Sequence, residues 1–200
     1  NTLKGRIPKK HWAEMRERGL LWLGNVIVTK LKDAEDLVGR FRKSPGLTEP
    51  QYGGVTCDEL FFGTPAMIHY TDGLRQFDNP LDRLICTYVN GKPSQPGEHH
   101  AFMSTCLNAS RGRGMLFYEA YCRAQPTEAE AKAYLQDFVV DTIHKFNAYF
   151  PQAVAGTVMV FGNFNQIPTL SLDHEPEVDS KYYLDMQLHL IANDPAFAGL

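Results

Sequence analysis

The residues that could carry covalent or acid–base chemistry are spread along the chain. They form no catalytic motif: the sequence has no G-x-S-x-G elbow, and its glycines make neither a dinucleotide-binding nor a P-loop pattern. An enzyme would therefore have to assemble its site from distant side chains, by pairing a thiol or carboxyl with an imidazole. The pool for such a site is Cys57, His69, His99, His100 and Glu119.

The four cysteines lack the close pairing of a metal site, since no C-x-x-C occurs, and no histidine pair has ligand spacing either. We therefore expect neither a metal nor a cofactor. Cys86, Cys106 and Cys122 fall at even positions on three segments expected to be consecutive antiparallel strands. That parity would place the three thiols on one face, where a disulfide could form, although small buried hydrophobic residues are the favoured interpretation.

Binding is predicted at three places. Arg111 and Arg113 in SRGRG could hold a phosphate or carboxylate, with a solvated turn as the favoured alternative. The acidic segment 173–180 would attract a basic partner. Aromatic side chains on the strand faces would be exposed anchors for another protein, or would be covered by a second layer of the same chain. The residues concerned are Asp173, Glu175, Glu177 and Asp179 in the acidic segment, and Phe117, Tyr121 and Tyr183 among the aromatics.

Composition is that of an ordinary globular protein. Hydrophobic residues make up 44% and charged residues 22% of 200 positions, and the formal charge is −3. This charge favours neither nucleic acid nor an anionic membrane. No apolar run reaches the roughly 18 residues of a membrane span. The composition leaves open both the cytoplasm and an exported compartment, and it does not predict an oligomeric state.

Helices are predicted from capping residues and apolar spacing over 8–18, 34–43 and 127–150. The third begins at a capping box, Thr127 to Glu130, and its apolar face is wide enough to lie across a sheet. Strands are expected between these helices and after the last one. The strand segments are 21–31, 57–63, 65–71, 81–90, 99–107, 114–123, 157–164 and 181–190, with a helix as the alternative for the last.

Short turn-rich connections between the central strand segments favour antiparallel neighbours. The sequence thus predicts an α+β fold, with a mainly antiparallel sheet covered by the long helix. A single domain over 1–200 is expected, with two related halves, 1–110 and 111–200, as a further interpretation.

The absence of catalytic motifs favours a non-catalytic protein-binding domain, such as an inhibitor, an immunity protein or an adaptor, whose partner is another protein and not a nucleic acid. Two alternatives stay open: an enzyme that uses the dispersed pool above, and a carrier for a small apolar ligand in a pocket between helix and sheet.

Overall fold

The five strands form one sheet in which every neighbouring pair is parallel and the strand order follows the chain. This computed structural model describes residues 9–93, 96–121, 125–150, 153–162 and 180–199. The strands are β1 (Leu23–Ile27), β2 (Gly54–Phe61), β3 (Leu84–Asn90), β4 (Met115–Tyr121) and β5 (Thr157–Gly162).

The antiparallel sheet predicted from the sequence is therefore wrong. Segments 65–71 and 99–107, expected to be strands, lie in helices that connect β2 to β3 and β3 to β4. Such crossovers return the chain to the same end of the sheet, so that the next strand runs parallel. The architecture is α/β rather than α+β.

The helices are α1 (Trp12–Glu17), α2 (Ala34–Lys43), α3 (Pro45–Thr48), α4 (Pro65–Gln76), α5 (Pro96–Gly112), α6 (Glu128–Leu135), α7 (Asp141–Tyr149) and α8 (Ser180–Asn193). A π-helical turn, Gln136–Val140, joins α6 to α7, so the predicted long helix is confirmed with one irregular turn. Ala109, Ser110 and Arg111 depart from helical backbone angles at the end of α5. The strand predicted over 181–190 is wrong, because this segment lies in α8. None of the helices in the described ranges is long and apolar enough to cross a bilayer.

One face of the sheet carries the helix layer. Helix α2 packs on α4, α4 on α5, and α5 on α7. Crossovers between parallel strands are usually right-handed, and strands in chain order then have their connecting helices on the same side. Buried side chains that point toward this layer include Val55, Ile85, Val89, Leu116 and Tyr118. The alternate residues of each strand point to the opposite face, which we call the second face.

Candidate functional site at the carboxyl edge of the sheet

The second face carries polar and aromatic side chains near the carboxyl ends of the central strands. Tyr88 of β3 and Phe117 of β4 are register partners, and their rings stack with centroids 4.7 Å apart. Two residues further along, Asn90 is the register partner of Glu119. Ligands of open parallel sheets bind beyond the carboxyl ends of the strands where the strand order reverses; the five described strands have no such reversal, so the case for this edge depends on its side chains.

Glu119 is the most unusual residue at this edge, because it is a carboxyl with only 6% of its surface exposed. Its Oε1 accepts a hydrogen bond from the Tyr121 hydroxyl at 2.6 Å. No lysine, arginine or histidine in the described ranges forms an ion pair with it. Burial raises the pKa of Glu119, the Tyr121 hydrogen bond opposes that effect, and the nearby charges of Asp58 and Glu59 add to it.

A β-bulge brings these two charges to the site. The pairing of β2 with β3 shifts register between Cys57 and Leu60, and Glu59 adopts a left-handed backbone with φ of 66°. For a non-glycine residue this conformation costs about 1–2 kcal/mol. Bulges occur next to active sites, where they redirect a side chain or end the pairing. The bulge therefore lies at the same edge of the sheet as Glu119.

A second irregularity lies in the helix layer over β4. The π-helical turn between α6 and α7 leaves the Phe138 carbonyl to accept a hydrogen bond from the Tyr118 hydroxyl at 3.0 Å. The Tyr134 hydroxyl donates to the carbonyl of Tyr121 at 3.0 Å, which ties α6 to the end of β4. Single π turns inside α-helices occur frequently at functional sites. The π turn thus contacts β4 from the helix layer, whereas the bulge lies in β2, on the other side of β3.

Of the dispersed catalytic candidates predicted from the sequence, Glu119 lies at this site. Cys57 lies in the core under the helix layer, where burial raises its pKa to about 12, so its thiol stays protonated and unreactive. His99 is buried in α5, with its ring centroid 4.8 Å from that of Phe62, and burial lowers its pKa. His69 lies in α4, and His100 is an exposed residue of α5 whose ring contacts Phe150.

The other predicted residues lie at several places. Phe117 and Tyr121 are half-buried on the second face, whereas Tyr183 is fully buried in α8. Arg113 Nη2 lies 2.9 Å from Asp82 Oδ2, and Arg111, 83% exposed, lines a cavity of about 430 Å³ at the amino edge of the sheet. The acidic residues Asp173, Glu175, Glu177 and Asp179 lie outside the described residues.

The geometric argument for a disulfide does not hold. Cys106 lies in α5 and not on a strand, so the three cysteines do not share one sheet face by strand parity. Cys86 and Cys106 are free and buried, and Cys122 lies outside the described residues. No group of three or more metal-ligating side chains comes together within the part of the chain that the structure describes.

Sequence reasoning missed Asp58, Glu59 and Asn90. The sequence shows that Asn90 ends a predicted strand, but this position lies beside Glu119 only if the two strands are parallel. Comparisons with protein-family models, with curated proteins and with solved structures gave no match to this chain.

The raised pKa of Glu119 predicts how stability depends on pH. The folded protein holds this proton more tightly than the unfolded chain, where the pKa is near its ordinary value of 4.5. The resulting stabilisation is complete below that value and is lost as pH rises through the folded pKa. Within this window, the wild type should lose stability relative to Glu119→Gln, which cannot ionise, with a slope of at most about 1.4 kcal/mol per pH unit. Urea denaturation of both proteins across pH measures the difference, and parallel curves would contradict the prediction.

Proposed function

We propose that the chain is an enzyme that performs general acid–base catalysis on an uncharged polar substrate at the carboxyl edge of the sheet. The observation that carries this proposal is the buried Glu119 carboxyl, which has a hydroxyl partner and no cationic partner among the described residues. A carboxyl with a raised pKa is the group that general acid catalysis needs, since it still holds a proton at a pH where other carboxyls have lost theirs.

The charge of the edge favours an uncharged substrate over an anionic one. Asp58 and Glu59 act on Glu119 as negative charges, and a phosphate or carboxylate substrate would add another to the same place. Lys92, which follows β3 at this edge, already forms an ion pair with Asp137. An ester, amide or glycoside would enter without that repulsion.

The two carboxyls suit a hydrolysis in which they act on different atoms. Asp58 and Glu119 lie two strands apart, roughly 10 Å between strand axes, and a substrate that lies over Tyr88 of β3 would reach both carboxyls. In the proposed reaction, Asp58 takes a proton from a water molecule as the oxygen of that water attacks the substrate. The bond to the leaving group breaks, and Glu119 gives its proton to the departing oxygen or nitrogen. Solvent then restores both protonation states.

A substrate panel tests the proposal. Uncharged nitrophenyl glycosides, carboxylic esters and anilides are incubated with the protein between about pH 4 and pH 9, and release of the leaving group is followed by absorbance. The proposal predicts turnover of one class, with a rate that falls as pH rises through the pKa of Glu119. Turnover that persists unchanged above that pKa would count against Glu119 as the proton donor, and no turnover of any class would count against the enzyme.

Protein binding, the function favoured by the sequence, is a second candidate, and one specific observation supports it. Leu184 and Leu188 of α8 are 38% and 55% exposed, and residues four positions apart lie on the same side of a helix. Exposed apolar side chains in a contiguous patch mark interaction sites.

Capture from source-cell extract tests this second candidate. The wild type should retain a partner that the double variant Leu184→Ser, Leu188→Ser does not retain. The matched control is Leu81→Ser, a comparably exposed leucine elsewhere on the surface. Equal retention by all three proteins would rule out this side of α8 as the contact.

A further inference from the structure

A pocket separate from the cavity that Arg111 lines lies at the amino edge of the sheet, opposite to the carboxyl edge that holds Glu119. It is a cavity of about 290 Å³, close to the lower limit of ligand pockets at roughly 300 Å³. Both tryptophans of the chain line it, together with Tyr52 and the exposed Leu21. Two tryptophans and a tyrosine around one cavity offer flat apolar surfaces to an aromatic ring.

The formally charged side chains that line this cavity are two arginines, Arg16 and Arg83, with no aspartate or glutamate among the lining residues. Neither arginine has an ion pair with a carboxylate in the described ranges. Arg16 Nη2 donates to the carbonyl of Pro50 at 3.3 Å. The pocket is therefore positive in a protein whose formal charge is −3.

Arg83 is the better placed of the two. Its guanidinium is part-buried and, within the described residues, makes a single long hydrogen bond, from Nη2 to the Glu49 carbonyl at 3.5 Å, while its buried Nε has no partner. Five N–H donors on a part-buried cation are normally satisfied by a carboxylate or phosphate. The free donors point to an anion that none of the described residues supplies.

The backbone of Arg83 is held firmly. Its amide N donates to Asn79 Oδ1 at 2.9 Å, and its carbonyl accepts from Asn79 Nδ2 at 2.8 Å and from the Ser110 hydroxyl at 2.6 Å. Asn79 and Ser110 both have left-handed backbones, with φ of 42° and 54°. Residues kept in such conformations cluster at ligand sites. Two strained residues thus fix the start of β3, from which the Arg83 side chain extends to the pocket.

We infer that this pocket binds a small aromatic carboxylate, with the ring against Trp12, Trp22 and Tyr52 and the carboxylate on Arg83. The apolar walls select the ring, and the unpaired guanidinium selects the anion over an alcohol or an amine with the same ring. The site is independent of the proposed enzyme, because about 20 Å of strand separates the two edges.

Three ligands that share a phenylbutyl body separate charge from apolar burial: phenylbutyrate, phenylbutanol and phenylbutylamine. Since the two tryptophans of the chain both line the pocket, intrinsic tryptophan fluorescence reports its occupancy. Phenylbutyrate should give a saturable change, with an affinity about tenfold or more above those of the alcohol and the amine. Equal affinity for all three, or no saturable change with phenylbutyrate, would overturn the inference without recourse to any variant.

A pair of variants tests the role of Arg83. Arg83→Met keeps an apolar stem and removes the guanidinium, and it should weaken phenylbutyrate binding about tenfold while leaving phenylbutanol binding unchanged. Arg111→Met, at an exposed arginine outside this pocket, is the matched control and should bind as the wild type does. An Arg83→Met protein that is folded by circular dichroism and binds phenylbutyrate with wild-type affinity would overturn the assignment of Arg83.

Discussion

Glu119→Gln is expected to lower the turnover of an uncharged substrate about 10²–10⁴-fold, which is the usual contribution of a positioned general acid. The substitution keeps the size of the side chain and can still accept the Tyr121 hydrogen bond, but it has no proton of suitable pKa to give. The fold should survive, because the change also removes the cost of a buried carboxylate at neutral pH. Initial rates of wild type and variant on the same substrate measure the loss.

The leaving group provides an internal control for this prediction. A nitrophenolate is stable as an anion and gains less from protonation than an alkoxide or an amine does as its bond breaks. The loss in Glu119→Gln should therefore be larger for the poorer leaving group. Tyr121→Phe is the matched variant: it keeps the acid, removes a hydrogen bond that lowers the pKa of Glu119, and should move the falling part of the rate profile to higher pH. Equal rates for wild type and Glu119→Gln would refute the role of Glu119.

Phe146→Ala is expected to lower the free energy of unfolding by about 3–5 kcal/mol, the range for removing a fully buried phenylalanine. The ring of Phe146, in α7, lies with its centroid 5.7 Å from that of Phe62 and 5.4 Å from that of Tyr118 on β4. It thus connects the helix layer to the strand that carries Glu119. Urea denaturation followed by circular dichroism measures the loss.

Phe150→Ala is the matched control for Phe146→Ala. Phe150 follows α7 and is only partly buried, with its ring against His100, so its truncation opens a smaller cavity. Its cost should be smaller than that of Phe146→Ala. Equal costs would contradict the packing of α7 on β4.

The sequence predicts individual elements where local signals are strong. Thr127 and Glu130 form the capping box expected at the start of α6, since Thr127 Oγ1 accepts from the Glu130 amide. Asp33 caps α2 in the same way, and the apolar residues Leu37, Val38 and Phe41 of this helix are buried. These features depend on contacts within a few residues along the chain.

The errors come from short apolar segments. His99, Phe102, Met103 and Cys106 are buried residues of α5 with helical spacing. A predicted segment of only seven to nine residues, however, also suits a buried strand. Because α4 and α5 were predicted to be strands, the two crossover connections were not recognised, and a parallel sheet was not predicted. The ambiguity between helical and strand periodicity in these segments therefore led to the wrong predicted topology.

The candidate site could not be predicted from the sequence for the same reason. Glu119 was among the dispersed candidate residues. Asn90 and Asp58, however, come near it only through the register of the parallel strands. The bulge at Glu59 has no local signal, because glutamate rarely adopts a left-handed backbone. Both facts depend on tertiary structure.

The protonation of Glu119 is the claim on which the proposed enzyme depends most. Carbon NMR of the side-chain carboxyl groups across pH, with the Glu119 signal assigned by its absence in Glu119→Gln, measures its pKa directly. We predict a midpoint clearly above 4.5, the ordinary value for glutamate. A midpoint at or below that value would mean that Glu119 is an ordinary carboxylate, and the proposal of an acid catalyst at this edge would be wrong.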